Sequence, residues 1–308
     1  MQLSQLEYII AVDNYRNFVK AAESCNVTQP TLSAMIQKLE LELDITIFDR
    51  KAHPVVPTEV GRKVIDQAKI VLFNTSQLHE IVLGEKGQNK GTLKLSIIPT
   101  IAPYILPKLF GIFKEEYPKI NLHIFEMRTS IVIEKLRKAE IDMAILATPL
   151  EQEDLLEVPL YYEPFSAYIS PKESIYLKDE IFTKDLKMDK MWVLQEGHCL
   201  RKQVFNFCNH RNVSNSIYEA GSIDTLIKIV DNNGGYTIIP DLHINFLSEE
   251  QKKNIRPLSA PVPVREVSIV IRQDYVKEKL INIVADSVKK IIPESMIDSR
   301  LKKFAIKL

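Results

Sequence analysis

A polar segment with glycines at positions 84, 87 and 91 divides the chain into two parts whose sequence patterns differ. Before this segment, apolar residues recur every three or four positions, which is typical of amphipathic helices. After it, short apolar runs with the features of strands alternate with helical stretches, and this order predicts a parallel sheet covered by helices. The 308 residues, of which 45% are apolar, are enough for two or three domains with cores of their own. We therefore expect a helical N-terminal part joined to an α/β C-terminal part.

The segment from Thr28 to Leu43 predicts a helix with one apolar and one polar face. Thr28 is a suitable N-cap, and Pro30 falls in the first turn, where a missing amide hydrogen costs nothing. The apolar side chains at helical spacing are Leu32, Ile36, Leu39 and Leu43. The outward-facing side chains are Gln29, Thr31, Ser33, Ala34, Gln37 and Lys38. Because another short helix precedes it, this pattern indicates a helix-turn-helix whose second helix enters the DNA major groove, and an ordinary three-helix core is the alternative.

The next two segments predict a wing and a long helix. Residues 47–58 have the pattern of two short strands around a turn, with Arg50 placed to contact backbone phosphates. Thr58 is a suitable cap for a long helix with an apolar seam, which predicts pairing with a second copy; packing on the chain's own second domain is the alternative. The net charge is zero, and residues 1–90 carry ten cationic against eleven anionic side chains. No overall basic surface therefore supports DNA binding.

The C-terminal part predicts two α/β lobes with a cleft between them. Strands are expected at 93–98, 121–126 and 142–146, and helices at 105–117 and 130–138. A second unit of the same kind is expected at about 165–261, and a strand at 267–271 precedes a final helix. Thr100 and Thr129 fall just beyond strand ends, where parallel sheets bind ligands.

Three cysteines, Cys25, Cys199 and Cys208, are too few for a structural disulfide framework in a chain of this size. No leader and no membrane span are apparent, so we expect a cytoplasmic protein without a membrane partner. If residues 200–207 are helical, the Cα atoms of Cys199 and Cys208 are about 13.5 Å apart, whereas a disulfide allows at most about 7 Å. The two thiols therefore either never pair or pair only after local unfolding. Cys25 is expected in the N-terminal core. The histidines and cysteines lack metal-ligand spacing and no phosphate-binding loop is apparent, so no metal and no cofactor are expected.

Three runs of residues resemble the winged helix of LysR-type transcriptional regulators: AAESCNVTQPTLS at 21–33, IQKLE at 36–40 and FDR at 48–50. The resemblance extends over nearly the whole chain. It implies an α/β protein with a winged helix-turn-helix DNA-binding domain at 1–60, a linker and dimerisation helix with a hinge at 61–90, and a redox-sensing regulatory domain at 91–308. That domain is expected to resemble a periplasmic binding protein, with lobe I at about 91–162 and 267–308 and lobe II at about 163–266. The residues expected to contact DNA are Thr28, Gln29, Pro30, Thr31, Ser33, Gln37, Lys38 and Arg50.

Within that family, the run GHCLR at 197–201, followed by Cys208, resembles the members that sense peroxide through a redox-controlled disulfide. The resemblance implies that Cys199 is the peroxidatic thiol and Cys208 the resolving one. The residues that it implies for the peroxide pocket are Thr100, Thr129, His198 and Arg265.

The position of Cys199 also has independent physical support. Gly197 and His198 precede a predicted helix start, and the positive end of a helix stabilises a thiolate. We expect His198, Arg201 and Lys202 to add cationic character nearby.

Three classes of function compete. The leading hypothesis is a peroxide-sensing LysR-type transcription factor, not an enzyme, whose DNA contacts change when Cys199 and Cys208 join. Its expected partners are double-stranded DNA, further copies of itself as a homodimer and homotetramer, hydrogen peroxide, RNA polymerase and a thiol reductant, and its implied targets are oxidative-stress defence genes. The second is a LysR-type regulator that binds a small organic metabolite between its lobes and has incidental cysteines. The third is a thiol peroxidase, which leaves the DNA-binding domain without a role.

Overall fold

The computed structural model describes residues 1–85, 91–207, 219–275 and 277–297. The chain forms two compact units. The first is built from Met1–Gln88 with Arg137–Glu140, and the second from Asn89–Leu136 with Ile141–Leu308.

The first unit is a winged helix-turn-helix followed by a long helix. Its elements are α1 (Leu3–Tyr15), α2 (Phe18–Ser24), α3 (Gln29–Leu43), β1 (Phe48–Asp49), β2 (Val56–Pro57) and α4 (Glu59–Glu85). Thr28 caps α3 as predicted, because its Oγ1 accepts a hydrogen bond from the Thr31 amide at 3.4 Å. Leu32, Ile36 and Leu39 are fully buried, which confirms the apolar face of α3. Leu43, at the last position of that helix, is instead 40% exposed.

The wing is closed by contacts between β1, β2 and the start of α4. The two strands pair antiparallel, with Phe48 opposite Pro57. A Cβ atom at Gly61 would lie 2.0 Å from the Ile47 carbonyl oxygen, so only glycine fits there. Thr58 Oγ1 accepts a hydrogen bond from the Gly61 amide at 2.9 Å and caps α4, as predicted.

Helix α4 has 27 residues and is therefore about 40 Å long. It continues to Glu85, so Gly84 lies inside the helix and not at the break that its glycine suggested. Pairing of α4 with a second copy of the chain stays a prediction.

The second unit consists of a mixed sheet with helices around it. Its strands are β3 (Gly91–Ile97), β4 (Ile120–Glu126), β5 (Met143–Thr148), β6 (Leu155–Ile169), β7 (Val193–Leu194), β8 (Glu219–Ala220), β9 (Tyr236–Pro240), β10 (Ile255–Pro257) and β11 (Val264–Arg272). Its helices are α5 (Ala102–Glu116), α6 (Thr129–Arg137), α7 (Cys199–Phe207), α8 (Ile223–Asn233), α9 (Glu249–Lys252) and α10 (Glu278–Ile291). Seven strands are joined in the order β10-β6-β11-β5-β3-β4, with β9 also paired to β6.

Each lobe of this unit combines parallel and antiparallel strand pairs. β3 pairs parallel with β4 and β5, as the alternating order predicts. β11 pairs antiparallel with β5 and β6, and β6 pairs antiparallel with β9 and β10. The prediction of parallel pairing is therefore correct for β3, β4 and β5 in the first lobe and for β7 and β8 in the second, and wrong for β6, β10 and β11. The second lobe repeats the strand–helix order of the first, as predicted, because α7 and α8 follow β7 and β8, and Met191 forms a parallel bridge to Tyr236 at the start of β9.

Two cores support the sheet. In the first lobe, α5 and α10 pack against each other beside strands whose inner side chains are fully buried. In the second lobe, α7 and α8 contribute to a core with β6 and β9. Within the described ranges, no helix combines the length and the apolar character needed to cross a membrane.

Candidate redox site and DNA-binding surface

Helix α7 places Cys199 at its first position. Leu200 and Val204 on the same helix are 2% and 4% exposed and belong to the core of the second lobe, so they hold α7 against it. Just before the helix, Gly197 has a φ of +93°, a conformation that favours glycine and lets the chain turn into α7. The thiol is therefore fixed at the N-terminus of a packed helix.

An open cavity of about 490 Å³ lies in front of Cys199. Thr129 and His198 line it beside the cysteine, and Arg201, Lys202 and Phe205 line it along α7. Thr129 is the first residue of α6, so two helices begin at the wall of the cavity. Its Oγ1 is buried and lacks a full hydrogen bond to any described residue, but it lies near enough to the Cys199 thiol to help lower the pKa of that thiol. That hydroxyl is available to a small polar molecule in the cavity.

Thr100 and Arg265 lie on the buried side of the sulfur. Thr100 Oγ1 is 4.0 Å from Cys199 Sγ. Arg265 donates from Nη1 to Thr100 Oγ1 at 3.2 Å and from Nη2 to the Thr100 carbonyl oxygen at 2.9 Å. Thr100 is 3% exposed and Arg265 is fully buried. The structure thus brings together Thr100, Thr129, His198 and Arg265 around the thiol, two on the cavity side and two behind it.

A buried carboxylate holds Arg265 in place. Glu163 on β6 stands opposite Arg265 on β11, and both side chains are fully buried. Glu163 Oε2 accepts from Arg265 Nε at 2.7 Å and lies 2.6 Å from Nη2. Glu163 Oε1 accepts a hydrogen bond from the Leu242 amide at 3.0 Å. The guanidinium is therefore fixed on one side by Glu163 and on the other by Thr100.

Opposing effects act on the thiol. Burial raises the pKa of Cys199, and the charge of Arg265, the Thr100 hydroxyl and the Leu200 amide partly oppose that rise. Burial alone would lower the pKa of Arg265, but Glu163 outweighs it and keeps the guanidinium charged. The resting sulfur is thus a protonated thiol with a permanent cation behind it.

The predicted cationic role of His198 is wrong. Burial, followed by the nearby charge of Arg128, lowers the pKa of His198, so that the imidazole is neutral at neutral pH. Arg201 donates from Nη1 to the Leu194 carbonyl oxygen at 3.0 Å, and its guanidinium lies over the Phe205 ring. The positive charge that acts on the Cys199 thiol therefore comes from Arg265 and not from His198.

The other predicted redox cysteine, Cys208, lies outside the described residues. Helix α7 spans nine residues, which separates the Cα atoms of Cys199 and Phe207 by about 12 Å. Consecutive Cα atoms are about 3.8 Å apart, so an intact α7 keeps the Cα atom of Cys208 at least about 8 Å from that of Cys199. A disulfide allows at most about 7 Å, and its formation therefore requires α7 to unwind.

The predicted DNA-contact residues lie on the outer face of α3 and at the wing. The exposed members are Thr28, Gln29, Pro30, Thr31, Gln37 and Lys38. Ser33 is half-buried and receives a hydrogen bond from Arg50 Nη1 at 3.2 Å. Arg50 Nη2 also pairs with Glu40 Oε2 at 2.9 Å, and its guanidinium lies over the Phe18 ring. Arg50 therefore ties the wing to α3, while the polar face of α3 points away from the core.

Sequence reasoning does not find two buried polar residues near the thiol. Glu163 is the one carboxylate in the otherwise apolar or neutral run 158–169 along β6, and a lone charge in such a strand is a usable signal for a buried ion pair. Gln203, one helical turn after Cys199, is fully buried. Neither amide atom of Gln203 has a hydrogen-bond partner among the described residues. Its helical spacing is visible in the sequence, but its burial is not.

In the part of the chain that the structure describes, no group of three or more His, Cys, Asp or Glu side chains is arranged to hold a metal ion.

Comparison with known proteins covers both units. Residues 3–62 match the bacterial regulatory helix-turn-helix proteins of the LysR family, and residues 86–290 match the LysR substrate binding domain. The chain is 34% identical over 301 residues to a hydrogen peroxide-inducible genes activator of Haemophilus influenzae, which covers 95% of this chain and 99% of that one. It is 33% identical over 273 residues to the DNA-binding transcriptional dual regulator OxyR of Escherichia coli, with 88% and 90% covered.

A solved structure agrees with these relatives. A full-length OxyR variant from Pseudomonas aeruginosa has a TM-score of 0.77 and 34% identity, over 94% of this chain and 98% of that one. The winged helix-turn-helix, the two-lobed α/β domain and these similarities together show that the chain belongs to the LysR family of bacterial DNA-binding transcriptional regulators, within its OxyR group.

Proposed function

We propose that this regulator senses hydrogen peroxide through Cys199 and changes its DNA contacts when Cys199 and Cys208 form a reversible intramolecular disulfide. The observation that carries the proposal is the arrangement at Cys199, whose buried sulfur has an open cavity on one side and the Arg265 guanidinium with the Thr100 hydroxyl on the other. A cation and a hydroxyl donor behind the sulfur stabilise the thiolate, and the polar side chains of Thr129 and His198 on the cavity side are placed to stabilise the departing hydroxide. The names of the relatives point to the same signal.

The chemistry proceeds in two balanced steps. The Cys199 thiol loses its proton, and the thiolate attacks one peroxide oxygen, which breaks the O–O bond and releases hydroxide that takes up a proton to become water. Thr129 and the neutral imidazole of His198 orient the peroxide from the cavity wall. The resulting sulfenic acid condenses with the Cys208 thiol, and a second water leaves as the S–S bond forms. A thiol reductant returns the disulfide to two thiols and is itself oxidised.

The second step requires movement. Because an intact α7 holds the two cysteines too far apart, condensation couples oxidation to unwinding of α7. Unwinding removes Leu200 and Val204 from the core of the second lobe. This conformational change is the signal that reaches the DNA-binding domain.

DNA recognition is assigned to α3 and the wing. We place the DNA-binding domain at residues 1–60, the linker at 61–90 and the sensing domain at 91–308. The exposed polar side chains of α3, with Gln37 and Lys38 near its middle, face the major groove. Pairing of two chains through α4 presents two such helices to a two-fold-related site, and we propose a homodimer that assembles into a homotetramer. RNA polymerase is the proposed partner at oxidative-stress defence genes, and the cytoplasm the compartment whose reductants reset the disulfide.

The test compares DNA contacts before and after oxidation. Genomic fragments selected by the reduced protein are footprinted with reduced and with peroxide-treated protein, and we expect the protected region to change. Cys199→Ser protein should bind the same fragments with a footprint that peroxide does not alter. Cys25→Ser protein, with the substitution in the first unit, is the matched control and should respond as the original chain does. A Cys199→Ser protein whose footprint responds normally would overturn the proposal.

A further inference from the structure

We propose that Glu163 is a positioning residue that restrains the reactivity of Cys199 by holding Arg265 and partly neutralising its charge. The inference deepens the proposed function, because it assigns a residue that makes the peroxide-reactive thiol selective. Both partners of the ion pair behind the sulfur are fully buried, so water does not screen the charge of either side chain.

The geometry links the carboxylate to the sulfur in three contacts. Glu163 Oε2 lies 2.6 Å from Arg265 Nη2. Arg265 Nη1 reaches Thr100 Oγ1 at 3.2 Å, and that oxygen is 4.0 Å from Cys199 Sγ. A change in the charge of Glu163 therefore acts on the sulfur through Arg265, without any contact between Glu163 and the cavity.

Glu163 is the main anion that faces Arg265: burial raises the pKa of this carboxyl, but Arg265 and the hydrogen bond from the Leu242 amide favour its charged form. Arg265 is faced by Glu163, by the phenols of Tyr161 and Tyr104, and by the thiol itself. Burial holds the pKa of both phenols above the ordinary value, so they are neutral. Asp241 adds a further negative charge near Glu163, and Arg128 a positive one near His198. Removing the Glu163 charge therefore exposes the thiol to a nearly uncompensated guanidinium.

The consequence is a thiol that stays protonated until peroxide arrives. Burial raises the pKa of Cys199. Arg265, whose positive charge is partly neutralised by Glu163, offsets only part of that rise. A protonated thiol reacts slowly with alkylating agents and with disulfides. Peroxide in the cavity meets Thr129 and His198 on the side where its hydroxide departs, while Arg265 and Thr100 stabilise the thiolate from behind, and this combination favours peroxide over other electrophiles.

The test measures the pH profile of Cys199 alkylation by iodoacetamide in the reduced full-length protein, resolved residue by residue by mass spectrometry. Glu163→Gln, which keeps an amide oxygen for the Leu242 amide, should lower the midpoint of the profile by about one pH unit. At a pH well below the midpoint, this shift increases the thiolate fraction about tenfold. Because the nucleophilicity of the thiolate falls about threefold, the alkylation rate should rise about threefold. Cys25 in the same samples is the internal control, and its profile should not move.

Further variants separate a tuning role from a purely structural one. Arg265→Gln combined with Glu163→Gln removes both charges and should move the Cys199 midpoint upward, opposite to Glu163→Gln alone. If Glu163→Gln fails to fold, Glu163→Asp, which keeps the charge but withdraws it from the guanidinium, should lower the midpoint by a smaller amount. A folded Glu163→Gln protein, or in its absence a folded Glu163→Asp protein, with an unchanged Cys199 midpoint overturns the inference. Because alkylation needs no peroxide, that outcome is distinct from failure of the proposed function, which shows as absence of a peroxide-induced disulfide in the unsubstituted chain.

Discussion

The buried amide of Gln203 should make α7 less stable in the reduced protein than an apolar side chain at the same position would. Gln203 is fully buried, and both its Nε2 and its Oε1 lack a hydrogen-bond partner among the described residues. A buried polar group without a partner costs about 1–3 kcal/mol. Methionine has a similar length and no amide, so Gln203→Met should stabilise the reduced protein by about 2 kcal/mol.

The same change should slow disulfide formation. An intact α7 separates the two cysteines by more than a disulfide permits, so the helix opens before the bond forms. If the opened helix exposes residue 203 to water, the substitution raises the free energy of opening by the same 2 kcal/mol, or about thirtyfold in the population of the open helix. Because the substitution stabilises only the reduced protein, the midpoint potential of the Cys199–Cys208 dithiol/disulfide couple should also become less negative by about 40 mV.

The assay follows disulfide formation after stoichiometric peroxide by rapid acid quench and mass spectrometry, together with thermal unfolding of the reduced protein. Asn282→Met, at an exposed position of α10 in the same unit, is the matched control, and its stability should stay within about 0.5 kcal/mol of the original. A Gln203→Met protein that is more stable but forms the disulfide at the original rate would show that opening of α7 does not limit the reaction. A less stable one would show that the amide is satisfied in the folded protein.

The remaining predictions concern the buried ion pair, the histidines and the DNA surface. Arg265→Met leaves Glu163 buried without its cation and should lower the free energy of unfolding in denaturant by about 3–5 kcal/mol. Adding Glu163→Met should recover most of this loss. If the single and the double variant are equally stable, the buried carboxylate is not the cause. Burial lowers the pKa of His198 and of His243, so their contribution to stability is present above the ordinary histidine value of about 6.5 and is lost as pH falls below it. The melting temperature should therefore fall between pH 7.5 and pH 5.5, and fall less in a His243→Asn protein. Lys38→Gln should weaken DNA binding to all sequences alike and reduce the slope of log affinity against log salt by about one per chain, whereas an unchanged slope would remove Lys38 from the phosphate contacts.

The helical half of the fold is predictable because its signals are local. Leu32, Ile36 and Leu39 recur at helical spacing, and all three are fully buried. Thr28 and Thr58 cap the helices that their positions predict. Gly84 misleads because a glycine inside a helix costs only about 1 kcal/mol, which the rest of α4 offsets.

Strand direction and burial are not local, and here the sequence is insufficient. An alternating strand has the same pattern whichever way it runs, so nothing in the run 264–272 shows that β11 lies antiparallel to β5 and β6. That antiparallel register is what places Arg265 opposite Glu163, 102 residues away in sequence. His198 illustrates the same limit, because its place beside Cys199 suggests a cation, whereas burial in the folded chain lowers its pKa and favours the neutral imidazole.

We expect hydrogen peroxide to join Cys199 to Cys208 within one chain. The most direct test treats the fully reduced protein with one equivalent of hydrogen peroxide, traps free thiols after seconds, and maps the peptides by mass spectrometry before and after addition of a thiol reductant. We expect a rapid intramolecular Cys199–Cys208 disulfide that the reductant reverses, with Cys25 still a free thiol. Two cysteines that both remain free, or a Cys199 that is oxidised without ever joining Cys208, would contradict it.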